Sequence, residues 1–196
     1  MPKRYEIRLA GSGGQGLILA GVILAEAAGL YDGQFVCQTQ SYGPAARGGA
    51  SMAEVVISDA EIDYPKAMHP DVLLAMNQMS LDIYGLDLAP GGLLIVDSTF
   101  VQEVPAQGRT FAIPFTELAR DRIGKVMTAN IVALGALAAL TGAVSLRSLE
   151  TAVLARVPPG TEELNRKALA AGIEAAERLL REEPKAEPIS AEEVAG

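Results

Sequence analysis

The glycines at 11, 13 and 16 are the first residues whose spacing implies chemistry. Gly11-Ser12-Gly13-Gly14-Gln15-Gly16 follows a short alternating run, Tyr5 to Ala10, and precedes a helical pattern from Leu17 to Gly29. Glycines permit a tight turn and let a ligand reach the backbone. A helix starting just beyond offers unpaired N–H groups and partial positive charge. An anion such as phosphate is the natural guest. A dinucleotide site also asks for an acid about 20 residues on, at the end of the second strand, to bind ribose. That stretch reads Cys37-Gln38-Thr39-Gln40, and Asp32 lies before the strand, so the ribose contact is missing. The same glycines also admit a purely structural reading, a tight turn with close helix packing.

A second candidate is the connection Ser41-Tyr42-Gly43-Pro44-Ala45-Ala46-Arg47-Gly48-Gly49. It is long, holds three glycines and a proline, and carries a single cation. Long loops of this kind are disproportionately functional. In a doubly wound sheet it would emerge at the same edge as the glycine turn. There Arg47 could clamp a carboxylate or phosphate with its planar fork, or could simply pair with a surface carboxylate. The anion-receptive set is therefore Gly11, Ser12, Gly13, Gly14, Gln15, Gly16, Ser41, Tyr42, Gly43, Arg47, Gly48 and Gly49. His69 precedes Pro70 in a loop, Asp97 ends a strand where an Asp often caps the next turn, and Cys37 fits a strand core. Tyr64 has no catalytic partner in view. No Ser/His/Asp or Cys/His constellation assembles, so no catalytic residue is assigned.

The elements that must position these loops follow from periodicity. Strands are expected at Tyr5–Ala10, Gln34–Thr39, Ser51–Ser58, Asp71–Met76 and Gly92–Asp97. Helices are expected at Leu17–Gly29, Gln78–Leu86, Phe115–Ile123, Asn130–Leu140, from Ser145 towards Val157, and from Thr161 onward. Short apolar strands alternating with helices predict a Rossmann-like, doubly wound α/β fold, with a mainly parallel sheet, helices on both faces and a helical C-terminal part. One domain is expected over 1–183, followed by an acidic, proline-containing tail over 184–196.

Composition bounds the partners. Sixteen basic and 24 acidic residues give a net charge of −8, which repels nucleic acid and anionic membrane. The longest apolar stretch, Ile131 to Leu140, is well short of the roughly 20 residues a bilayer span needs. The single cysteine fits a reducing cytoplasm and leaves too few thiolates for an iron–sulfur cluster held by this chain alone. The basic start lacks a signal-peptide core after it.

Several segments together resemble the gamma subunits of 2-oxoacid:ferredoxin oxidoreductases. They are Arg8 to Gly16, Gln40 to Pro44, Arg47-Gly48-Gly49, Tyr64-Pro65, Asp71-Val72-Leu73, Gly91 to Leu94, and Asn130 to Gly135. The similarity runs in order over roughly residues 4 to 180 and is nearest to the 2-oxoglutarate or branched-chain members. It implies a share in coenzyme A-dependent oxidative decarboxylation of a 2-oxoacid, giving acyl-CoA, carbon dioxide and reduced ferredoxin. It further implies that thiamine diphosphate and [4Fe-4S] clusters sit on alpha, beta and delta subunits or on other domains of a fused chain, that this chain is inactive alone, and that it helps cover the coenzyme A channel. A homodimer of the isolated chain stays open. So do two rival classes, a freestanding nucleotide- or flavin-binding oxidoreductase and a purely structural subunit.

Overall fold

The computed structural model describes residues 3–42, 50–105 and 108–183. Six strands form one sheet: β1 (Arg4–Ser12), β2 (Phe35–Tyr42), β3 (Ala50–Ser58), β4 (Val72–Ala75), β5 (Leu93–Asp97) and β6 (Arg109–Ile113). Their order across the sheet is β2-β3-β1-β4-β5-β6. Pairing is parallel from β1 through β4 and β5 to β6, whereas β3 is antiparallel to both of its neighbours. Five strands therefore point one way and β3 alone runs back. The fold class predicted from sequence is the one observed, with two additions. β3 is inserted between β1 and β2, and β6 is a strand that periodicity did not mark.

Alternation sets the two faces. Ile7 and Leu9 of β1, with Val72, Leu74 and Ile95, are buried in the larger core. That core is closed by α1 (Leu17–Glu26), α4 (Ala129–Thr141), α5 (Leu146–Arg156) and α6 (Glu162–Glu182). Ala10, Leu73, Ala75, Leu94 and Val96 face the other way, into a smaller core with Leu81 of α2 (Gln78–Tyr84). The short α3 (Phe115–Leu118) seats Phe115 in the larger core. Small residues let α1 lie directly on the sheet, since a Cβ on Gly21 would stand 2.6 Å from that of Ala53. α4 is buried along almost its whole length, as expected for an apolar run too short for a bilayer. No helix among the described residues is long and apolar enough to cross a membrane.

The strand expected to stop at Ala10 continues through Gly11 and Ser12, which pair with Ser51 and Ala50. β1, β2 and β3 consequently all meet one edge of the sheet at Ser12, Tyr42 and Ala50. The glycine turn and the start of the 43–49 connection leave from that edge, as the doubly wound reading required. Gly43, Pro44, Arg47, Gly48 and Gly49 lie outside the described residues.

Candidate functional site

The glycine turn is built from its own side chains before any ligand is considered. The N–H of Gln15 bonds to the Ser12 carbonyl at 3.2 Å, closing a turn over Gly13 and Gly14. Gln15 folds back over it, and its Oε1 accepts from the Ser12 N–H at 2.6 Å. Asn77, at the head of α2, donates through Nδ2 to Ser12 Oγ at 2.7 Å and to Gln15 Oε1 at 3.2 Å. Asn130, in the first turn of α4, donates through Nδ2 to the Gly16 carbonyl at 3.1 Å. The turn thus joins the N-termini of α1, α2 and α4 at one edge of the sheet.

The start of α1 remains electrostatically open, and that of α4 only in part, because its Ala129 and Ile131 N–H groups are taken by the Val126 carbonyl and Asn130 Oδ1. Neither α1 nor α4 has a side-chain cap or an acid in its first turn. Asn77 caps α2 by accepting from Ser80 N–H at 2.9 Å. Gly16 heads α1 with φ 74° in the left-handed region, which suits glycine. Gly13 and Gly14 are exposed, and a Cβ on either would meet nothing within 4 Å among the described residues. The hydroxyl proton of Ser12 has no acceptor among the described residues. The exposed lip of the turn therefore offers donors and partial positive charge in an acidic chain. Its side chains are hydroxyls and carboxamides, which bind and orient but do not exchange protons near neutral pH.

The other sequence candidates sit elsewhere or are satisfied internally. Asp97 is fully buried and accepts from Thr99 N–H at 3.0 Å and from Thr116 Oγ1 at 2.5 Å, so it caps rather than catalyses. His69 lies in an exposed loop with its backbone N–H on Glu6, at the opposite edge of the sheet. Asp32 also lies at that far edge, where it accepts from Ser145 Oγ and Ser148 Oγ at 2.9 and 2.7 Å. These bonds hold its carboxyl below the usual range against the opposing effect of desolvation. Cys37 is half-buried in the edge strand β2 and not in the core. Among the described residues no group of His, Cys, Asp and Glu could hold a metal ion. The donor set fits neither an iron–sulfur cluster nor a metal-bound diphosphate.

Arg8 is a charged position that sequence reasoning passed over. Its guanidinium is buried beneath α2, bonded to Glu54 Oε1 through Nε and Nη2 at 3.0 and 2.8 Å. It also bonds to Asp87 Oδ2 at 2.5 Å and to the Ala67 carbonyl at 2.9 Å. The Tyr84 ring lies 5.5 Å away. An Arg at an outward position of β1 opposite a Glu of β3 was the available signal, but it needed the strand register to be seen.

With this geometry in place, the comparisons decide the family. A family model described as pyruvate ferredoxin/flavodoxin oxidoreductase matches residues 6–175. The chain belongs to that family. Within this oxidoreductase family it is of the gamma-subunit type. The 2-oxoglutarate synthase subunit KorC of Methanothermobacter thermautotrophicus is 53% identical over 178 residues, 87% of this chain and 94% of that one. The crystal structure of a keto/oxoacid ferredoxin oxidoreductase gamma subunit from Geobacter sulfurreducens superposes with a TM-score of 0.84 at 52% identity, over 90% of this chain and 98% of that one. A 2-oxoglutarate:ferredoxin oxidoreductase from Magnetococcus marinus, with 2-oxoglutarate, coenzyme A and succinyl-CoA bound, matches with a TM-score of 0.80 at 25% identity. That match covers 95% of this chain but 32% of the longer one.

Proposed function

We propose that this gamma subunit serves a cytoplasmic 2-oxoglutarate:ferredoxin oxidoreductase, and that its glycine turn forms an anion-receptive lip over coenzyme A. The substrate assignment leans on the KorC relatives, three of which are 52 or 53% identical. The resemblance places thiamine diphosphate and the iron–sulfur clusters on alpha, beta and delta partners, and the single cysteine of this chain agrees for the clusters, since it cannot supply their thiolates. This chain then contributes binding and cover, while the cofactors supply the carbanion and electron chemistry.

The observation carrying the lip is the convergence of the α1 and α4 N-termini on an exposed Gly13–Gly14 turn. Ser12 adds a hydroxyl donor, and Arg47 follows in the connection leaving the same edge. Phosphate groups of coenzyme A match this donor set. In the assembled enzyme, Arg47→Ala should raise the KM for coenzyme A about tenfold, equivalent to about 1.4 kcal/mol. An unchanged KM and kcat would remove Arg47 from the site. Ferredoxin reduction by the same preparation with 2-oxoglutarate, 2-oxoisovalerate and pyruvate tests the substrate, and a preference for either of the latter two overturns that assignment.

One observation favours a second reading. Gln15 already occupies the Ser12 N–H, so the turn is rigid without a ligand. A preformed knob of that kind also suits packing against a neighbouring subunit. Hydrogen exchange on the assembled enzyme separates the two. Protection of residues 12–18 that appears on adding coenzyme A supports the lip, whereas protection that needs only the partners supports packing.

A further inference from the structure

The two sheet faces are covered very unequally. Four helices close the larger core, whereas among the described residues the smaller one is covered by α2 together with Val101 and Leu88 from the neighbouring segments. α2 is itself apolar on two sides. Leu81 points into the small core, while Met79, Ile83 and Leu86 recur at i, i+4 and i+7 on the outside. These three are 50%, 51% and 86% exposed.

The groove beside this row is held open by bonds rather than left loose. It measures about 630 Å³ and runs between α2 and the segment 102–105, with Leu81, Leu86 and Val104 among its lining residues. Gln78 clamps its two walls together. Gln78 Oε1 accepts from the N–H groups of Gln102 and Glu103, both at 3.1 Å, and its Nε2 donates to the Glu103 carbonyl at 2.9 Å. The buried Arg8 holds Asp87, next to Leu86, at 2.5 Å. Leu86 and the groove walls, fixed by this clamp and by the bond from the buried Arg8 to the half-exposed Asp87, are preorganised for docking.

The charges state what docks. Among the described residues Asp82 and Glu103 are the charged residues lining the groove, and neither has an ion pair there, although Asp82 Oδ1 accepts from Gln78 Nε2 at 2.9 Å. We infer that the α2 face receives a helix of a partner subunit of the same enzyme, bearing an apolar anchor with Lys or Arg beside it. A second copy of this chain would set acid against acid in a molecule already carrying −8.

The test uses the full chain co-expressed with its partner subunits. Leu86→Ser should weaken assembly about tenfold or more, as loss of an interface anchor does, with the isolated chain's Tm unchanged. The double reversal Asp82→Lys, Glu103→Lys should also weaken assembly and remove part of its salt dependence. A photoreactive phenylalanine analogue in place of Leu86 should crosslink to a partner peptide carrying Lys or Arg close to the attachment point. Unchanged assembly, equal weakening by the control Leu30→Ser elsewhere on the surface, or crosslinking to a second copy of this chain would each overturn the inference. None of these outcomes depends on whether the glycine turn binds coenzyme A.

Discussion

At the crossing of α4 and α6, Gly135 and Gly172 bring two helix backbones together; at the turn after β1, Gly13 and Gly14 keep space open. A Cβ on Gly172 would collide with the Val132 carbonyl, its carbon at 2.8 Å and the Ala136 nitrogen at 3.0 Å. A Cβ on Gly135 would meet the Leu169 carbonyl in the same way. A Cβ on Gly13 or Gly14 would meet nothing within 4 Å among the described residues. One residue type therefore does two jobs, and the surroundings tell them apart. Glycine against backbone is scaffold, while glycine against solvent is surface kept clear for something else.

The sharpest break in that contrast is Gly172→Ala. Overpacking usually costs about 1–3 kcal/mol, and here the obstruction is backbone, which yields less than a side chain. Helix propensity returns about 1 kcal/mol. A net loss of about 2 kcal/mol and a Tm lowered by about 4–8 °C are expected from thermal unfolding. A variant as stable as wild type would mean the two helices do not approach as closely as described.

Gly16→Ala lies between the extremes, because Gly16 is both turn and contact. A left-handed alanine costs about 1 kcal/mol. Its Cβ would also stand 2.6 Å from Asn130 Nδ2, displacing the bond that ties α4 to the turn. About 1.5 kcal/mol in total is expected. In an Asn130→Ala background the cost should fall to the backbone part alone, and a double-mutant cycle by urea unfolding measures the difference. Strict additivity would mean the two residues do not touch.

The sequence exposed some of this and hid the rest for physical reasons. Local periodicity carried β1 to β5 and every helix, since each side chain's environment there repeats every two or 3.6 residues. β6 escaped because Arg109–Ile113 is a five-residue edge strand between Gly108 and Pro114, with Arg109 and Ala112 exposed. The reversed β3 escaped because strand order depends on pairing across distant segments, which no local window contains. Arg8 drew no reading of its own for the same cause, its partners Glu54 and Asp87 lying 46 and 79 residues away. The turn's glycines were legible as a motif, but not the carboxamide of Gln15 that closes it or its links to Asn77 and Asn130. Cys37 was expected in a core because its strand is apolar around it, yet β2 is an edge strand and leaves it half-buried.

Gly13→Ala is the smallest change for stability and the most informative for function. Gly13 is exposed, has no positive φ, and would place its new methyl in open space. Unfolding should therefore shift by no more than about 0.5 kcal/mol, the usual range for a surface site. The assembled enzyme is where an effect must appear if the space is kept for a ligand or a neighbour. A methyl in the coenzyme A lip would raise KM for coenzyme A while leaving assembly intact. A methyl in a subunit contact would weaken assembly and leave KM unchanged in whatever enzyme still forms. A variant equal to wild type in stability, assembly and turnover would show that nothing approaches Gly13, and the turn would then belong with the α4–α6 crossing as scaffold.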